Sequence, residues 1–371
     1  MKRFYNTIIL STTLLAGSAT AGFAQKGMWR YLGKSTGQAD SSYIYTYERD
    51  IIGRTYFSRK NTGFNIATPD NLSSFGYKPN NSQGIGLGVS YRYATVNMQF
   101  GLFGLNVFGR DPSKGKTSSF DFQTNLYKRQ WIYDFVIQTY KGMYLTPKGN
   151  NTTDGSYYLR PDIRTTLVGG DFWRILNSDR FSYRAVMTQN DWQLKSAGSL
   201  LLGGEIYYGT TTADKHLVPD NDFKYYTPFQ QGMNKVKFFR IGPGAGYAYT
   251  KTLGKNFFIS GGITANYDFA YTKELFDTAQ RGKFAISPNL TYRIGIGYNS
   301  RKWNINASLV DNSVIVHSAT INENYKLFNQ SFRITIARRF TPTHRMRKRI
   351  LSPVDSLLNK VEDTIKGAPG K

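Results

Sequence analysis

Residues 256–272 read NFFISGGITANYDFAYT, and side-chain character alternates along nearly the whole run. Phe257, Ile259, Gly261, Ile263, Ala265, Tyr267, Phe269 and Tyr271 form one row; Phe258, Ser260, Gly262, Thr264, Asn266, Asp268, Ala270 and Thr272 form the other. Successive side chains of a strand point to opposite faces, so this alternation specifies a strand with one apolar and one polar face. A soluble sheet hides the apolar face in a core and wets the other. A membrane barrel turns the apolar face to lipid and the polar one to its lumen.

Similar rows recur. In GIGLGVSYRY, Ile85, Leu87, Val89, Tyr91 and Tyr93 oppose Gly86, Gly88, Ser90 and Arg92; in FAISPNLTYRIGIGY, Phe284 to Tyr298 in steps of two oppose Ala285 to Gly297. Such rows exceed the roughly 9 to 11 tilted residues that carry a strand across a bilayer. After residue 24 no stretch approaches the ~18 consecutive apolar residues of a spanning helix. Aromatic content is 15% with 36 glycines, which suits aromatic girdles and close strand contacts. The predicted fold is all-β, a transmembrane antiparallel up-and-down β-barrel.

The connections give a strand count. Short breaks fall near Ala94, near Arg129, at 177–180, 253–256 and 299–302, and long polar ones at 69–83, 110–116, 147–162, 211–234 and 273–282. Short periplasmic turns alternating with longer outer loops is the barrel pattern. Reading residues 180–211 as one long strand, bulged around Asn190 to Ser199, keeps the alternation and gives about twelve strands, an even number.

The ends differ from the middle. MKRFYNTIILSTTLLAGSATAGFAQ carries Lys2 and Arg3, a short apolar run and small residues before position 25, the pattern of a cleaved secretory signal. Residues 1–24 are therefore a signal peptide, 25–50 a periplasmic lead-in whose SSYIYTYERD could tuck into the lumen, 51–340 the barrel, and 341–371 a basic periplasmic tail. The last strand, NQSFRITIARRF, places Phe332, Ile334, Ile336 and Phe340 on one face, interrupted by Arg338. In the tail, Ser352 as N-cap and Pro353 at the first helical position start a short C-terminal amphipathic helix bearing Val354, Leu357, Leu358, Val361 and Ile365. Behind the basic HRMRKRI, the 344–366 segment suits the inner leaflet or a periplasmic partner.

The formal charge is +24 and cysteine is absent, so disulfides and thiolate metal sites are excluded. A basic exported surface fits outer-membrane lipid and lipopolysaccharide, or the anionic solutes of a pore. Nucleic acid is not an expected partner, because the chain is exported and its charges form no single groove.

YKGMYL (140–145), NSDRFSYRAV (177–186), QLKSAGSLLLGG (193–204) and IGPGAGYAY (241–249) resemble domain of unknown function 4421, an uncharacterised family of outer-membrane β-barrels from Bacteroidota. The resemblance spans residues 50 to 340. It implies fold and location and carries no activity or catalytic residues.

Candidate chemistry is sparse. Gly242, Gly244 and Gly246 share one strand face, with no helix to follow, so they form no nucleotide loop. The strand register turns Arg92, Arg240, Asp268 and Arg293 toward the lumen, with Asp121 and Asp134; these could pair and plug it, or line a path. Asp191, Gln193, Lys195, Ser196 and Ser199 could form a constriction at a bulge near the outer rim. A serine hydrolase on the outer wall requires a histidine beside a serine. The chain has only His216, His317 and His344, and His317 and Ser318, as strand neighbours, face opposite ways. No histidine or carboxylate cluster has metal-ligand spacing, and no cofactor is expected.

The expected function is a narrow pore or binding barrel for small anionic solutes, attracted by lumen arginines such as Arg240 and Arg293; the alternatives are a non-conducting structural or surface-interaction barrel and, lower, a lipid hydrolase. A soluble sandwich is the fallback if the chain does not enter membranes. N-terminal sequencing of the exported protein is expected to begin at Gln25; a mature chain that retains Lys2 and Arg3 would refute the signal.

Overall fold

The computed structural model describes residues 37–67, 74–80, 83–92, 94–99, 110–219, 228–320, 324–356 and 358. The expected signal peptide, residues 25–36 of the expected lead-in and the part of the expected tail helix beyond residue 358 lie outside the described residues. Strand β1 (Ile44–Thr46) pairs with β9 (Asp191–Gln193) in a small separate sheet. The rest form one fourteen-stranded antiparallel sheet: β2 (Ile51–Ala67), β3 (Ser74–Lys78), β4 (Gly84–Tyr91), β5 (Ala94–Gln99), β6 (Ser118–Tyr127), β7 (Trp131–Thr146), β8 (Leu159–Ile175), β10 (Ala197–Thr212), β11 (Met233–Leu253), β12 (Phe257–Phe276), β13 (Gln280–Asn299), β14 (Trp303–Asp311), β15 (Val314–His317) and β16 (Asn324–Phe340).

The sheet closes on itself. β16 pairs with β2 from Tyr325 opposite Ile66 to Phe340 opposite Ile51. β14 and β15 pair with β16 in one register and act as a single strand broken at Asn312 and Ser313. β3 and β4 likewise follow the same edge of β2 as one broken strand. The chain therefore makes twelve passes around the wall. β3 bridges β2 to β7 directly near the long-loop end, so a ring of ten strands closes there by hydrogen bonds. β5 and β6 fill the wall only toward the short-turn end, and among the described residues they share no ladder hydrogen bonds. Expected as part of a loop at 69–83, β3 is wall instead, because the ladder of β2 continues past the β4 pairing.

The opening alternation resolves in favour of lipid. On β12, Phe257, Ile259, Ile263, Tyr267 and Phe269 are exposed, Phe269 at 65%, whereas Thr264, Asn266 and Asp268 are buried, Asp268 at 0%. The same inversion holds on β13, where Phe284, Ile286, Leu290, Ile294 and Ile296 face outward and Ser287, Asn289, Thr291 and Arg293 face inward. An apolar exterior over a polar interior is the distribution of a membrane barrel. No helix among the described residues is long and apolar enough to cross a membrane.

Residues 176–196 depart from the expected single long strand. Only β10 spans; the preceding segment folds inward as a plug with a helical turn at Arg184–Met187, then β9. The reason is local. Gln189 adopts a positive φ of 59°, which breaks the extended backbone, and β9 finds its partner in β1 instead of the wall. The tail also starts earlier than expected. Thr343, not Ser352, is the N-cap, its hydroxyl accepting from Met346 N at 3.4 Å, and the basic residues 344–351 are themselves helical. Ser352 continues that helix.

Replacing Leu290, at mid-strand on the lipid face, with arginine is expected to cost about 2–4 kcal/mol in denaturant unfolding from bilayers. A cost near zero would contradict the lipid-facing assignment.

Candidate functional site

The lumen is filled in three layers. At the short-turn end, the plug is fastened by wall side chains to its own backbone carbonyls. Arg339 donates to Gln189 O from Nε at 3.1 Å and from an amino group at 2.9 Å; Arg54 donates to Thr188 O at 2.9 Å, and Asn306 to Val186 O at 3.1 Å. Val186 lies in the helical turn, whose last carbonyls lack intrahelical partners, and Thr188 and Gln189 follow directly after it. Two wall glycines make room for it. A Cβ on Gly262 would sit 2.1 Å from Tyr183 Oη, and one on Gly295 2.4 Å from Val186 Cγ1. The lead-in locks beneath: Leu194 N donates to Tyr43 O at 2.7 Å and Tyr47 N to Asn190 O at 2.9 Å. Arg339 also lies 3.9 Å over the Tyr47 ring. Burial pushes the Tyr47 hydroxyl up to about 12, against the pull of Arg339, so the ring stays neutral at physiological pH.

Asp191 to Ser196 belong to this plug or its junction with the wall, and Ser199 to the start of β10. Asp191 is fully buried and holds Arg129 at 3.0 Å and the Ser182 hydroxyl. Gln193 donates to Arg180 O at 2.6 Å and Lys195 O at 2.9 Å and accepts from Ser182 N at 3.0 Å. Lys195 lies over the Tyr43 ring, Ser196 bonds Thr252 at 3.1 Å, and Ser199 accepts from Asn177 N at 2.9 Å. The cluster sits at the short-turn end beside the turns that contain Arg129 and Ser300, not near the long-loop rim, because the chain turns inward before β10 begins.

The middle layer is ionic. Arg240 bonds Asp268 at 2.7 Å through Nε and lies 3.5 Å from Glu205. Glu205 also accepts from Asn266 at 2.7 Å and Asn289 at 2.9 Å. Arg293 reaches Asp134 at 2.6 Å and Asp171 at 3.3 Å, while Trp173 Nε1 donates to Asp171 at 2.6 Å. Each arginine thus lies within ion-pair reach of two carboxylates, and such charge-assisted hydrogen bonds are stronger than neutral ones. Asp121, nearer the long-loop end, is held by Lys60 at 2.7 Å and Tyr140 at 2.6 Å. Arg92 does not face the lumen. It occupies the β4–β5 turn with φ 53°, which ends the alternation, and pairs with Asp355 of the tail at 3.4 Å. Tyr91 Oη donates to the same carboxylate at 3.1 Å.

The third layer, toward the long loops, is apolar: Phe64, Tyr77, Val236, Phe238, Val316 and Leu327 pack around Leu217 and Val218 of the 213–219 loop. Tyr77 Oη donates to Leu217 O at 2.6 Å and Arg160 to His216 O at 2.8 Å, tying that loop down. Ser318 donates to Glu274 at 2.6 Å, whereas His317 lies on the opposite face of its strand from the buried Val314 and Val316. His344 is exposed at the start of the tail helix.

Beside the ionic layer lies a cavity of about 290 Å³. Its walls come from β2, β5, β6, β14 and β16, its floor from Met187 to Gln189 of the plug. Arg54 and Arg333 line it, and among the described residues no carboxylate does. Neither these two arginines nor Glu205 and Asp171 were singled out from the sequence. Glu205 and Asp171 are nevertheless in phase with the inward rows that hold Leu201 and Tyr207, and Thr165, Leu167 and Trp173.

The chain belongs to the family described as Domain of unknown function (DUF4421), whose model matches residues 38–340. No curated protein sequence matches it. Among solved structures it is similar to the outer-membrane expressed OmpT of Vibrio cholerae (9% identity, TM-score 0.27, covering 78% of this chain and 97% of that one). It is similar also to an outer membrane channel from Pseudomonas putida F1 (9%, 0.26, 80% and 98%) and to the β domain of the Bordetella autotransporter BrkA (11%, 0.28, 78% and 98%). Likeness at this level bears on neither activity nor solute.

Arg293→Met leaves Asp134 and Asp171 buried without their cation and is expected to cost about 3–5 kcal/mol of stability. Adding Asp134→Asn and Asp171→Asn should recover part of that loss in the same unfolding assay; a single variant as stable as wild type would dissolve the ionic layer as a structural element.

Proposed function

We propose that this protein is an outer-membrane β-barrel with both termini in the periplasm, closed to through-flow and built to hold a small anionic solute. The inside-out distribution of apolar and polar residues supports the membrane location, and the N-terminal pattern expected of a secretory signal supports export. The wall begins at Ile51 and ends at Phe340, both at the short-turn end, so the lead-in and the tail leave on one side. Short turns on the periplasmic side fit the general barrel pattern.

Closure is carried by one observation: the plug's carbonyls are held by Arg54, Arg339 and Asn306 from three wall strands. The expected attraction of solute by Arg240 and Arg293 is revised accordingly. Their charges are matched by four carboxylates inside the barrel, so they are poorly placed to confer anion preference on a path. A second reading, a surface-interaction barrel, is favoured by the tail, where Arg345, Arg347, Lys348 and Arg349 are exposed while Asp355 anchors the helix to Arg92. That basic face suits anionic headgroups or an acidic periplasmic partner.

Planar-bilayer recordings of the refolded mature chain test closure. Wild type is expected to insert without conductance steps, and an Asn306→Ala/Arg339→Ala variant, with two plug anchors removed, to open them. Stable anion-selective steps in wild type would overturn closure.

A further inference from the structure

The cavity bounded by Arg54 and Arg333 has an electrostatic composition unlike the rest of the lumen. Arg240 and Arg293 are each met by two carboxylates, whereas Arg54 and Arg333 share a cavity whose lining among the described residues has none. Arg54 is buried to 5% exposure, bonds Ser90 and Thr188 O, and leaves its Nε without a hydrogen-bond partner. Arg333 stacks 4.5 Å over the Tyr56 ring, which fixes the guanidinium plane and leaves its edge donors to the cavity. Like charges in a poorly screened space repel, and a buried cation without a counter-charge is costly.

The nearby carboxylates are already engaged. Asp134 is held by Arg293 and Asn125, Asp121 by Lys60 and Tyr140, and Asp311 accepts from Gln330 at 2.7 Å and Ser313 N at 2.8 Å. None is placed to neutralise the two arginines. The remaining wall is made of neutral hydrogen-bonding groups, among them Asn97, Gln123, Ser308 and Ser331. Two guanidinium forks among amides and hydroxyls match a tetrahedral oxyanion with several acceptor oxygens better than a single halide. At about 290 Å³ the space exceeds a single water's share of liquid volume, ~30 Å³, several-fold.

We infer that this cavity is a binding site for a phosphate-bearing group, gripped between Arg54 and Arg333. The inference deepens the reading of a closed barrel that holds anions and rests on it. The lining also includes Val96 and Phe122, which belong to the exposed outer rows of β5 and β6. The cavity therefore reaches the lipid-facing wall where those two strands share no ladder. A phosphate group there can come from free phosphate or from a lipid headgroup whose chains stay in the bilayer.

The test uses the refolded mature chain in neutral detergent, titrated calorimetrically with inorganic phosphate at constant ionic strength. In parallel, native mass spectrometry follows retention of phosphatidylglycerol against phosphatidylcholine. Arg333→Gln is the informative variant, because Arg333 anchors no plug carbonyl; Lys302→Gln, at an exposed turn, controls for net charge. Wild type is expected to bind at least one probe, Arg333→Gln to weaken it at least tenfold, and Lys302→Gln to leave it unchanged. Phosphate uptake without lipid preference assigns the free ion; selective retention of phosphatidylglycerol assigns the headgroup. Uptake of neither probe by folded wild type, or equal binding by Arg333→Gln, overturns the site. A conducting wild type that still binds phosphate overturns closure alone, and a silent one that binds nothing overturns the site alone.

Discussion

The whole architecture depends on closing the backbone ladder between β16 and β2. In hydrocarbon no water is present to satisfy a free amide or carbonyl, and an open sheet edge is not tolerated there. Pairing the last strand with the first along its length removes the edges that β2 and β16 would otherwise present, and among the described residues only β5 and β6 are left without a shared ladder. Once the ring exists, inside and outside are defined, and period two assigns alternate residues to lipid and lumen. The apolar row of β12 and the polar row behind it are two results of one closure.

Closure creates a second problem, which the interior solves unevenly. Inward positions hold polar and charged groups that must find partners within a narrow space. On one side of the lumen they do so by ion pairing, with Trp173, Asn266 and Asn289 completing the carboxylates of the Arg240 and Arg293 groups. Toward the long loops the lumen instead packs as an ordinary apolar core around Leu217 and Val218. A cavity remains beside β5 and β6, the two strands that fill the wall only toward the short-turn end. The unmatched cations fall where packing is least complete.

Alternation made the wall legible, residue by residue. Arg240, Asp268, Arg293, Asp121 and Asp134 lie on inward rows because the strands that carry them are regular. Their partners were not legible: Asp134 and Arg293 are 159 positions apart, and no local pattern states that β7 and β13 face each other across the lumen. Glu205 and Asp171 sat in phase but looked like isolated acids. The plug was lost for the opposite reason. Residues 180–211 contain enough apolar alternation to pass for one strand, and a single positive φ at Gln189 redirects them. Arg92 failed in the same way, at a turn that ends its row.

The plug's anchoring has a mechanical consequence. Its adjacent carbonyls at Thr188 and Gln189 are held by Arg54 of β2 and Arg339 of β16, the two strands whose pairing closes the ring. The segment therefore lies across the seam like a pin through the two leaves of a hinge. Any load that draws the plug out of the lumen is therefore borne by the same two strands that close the wall.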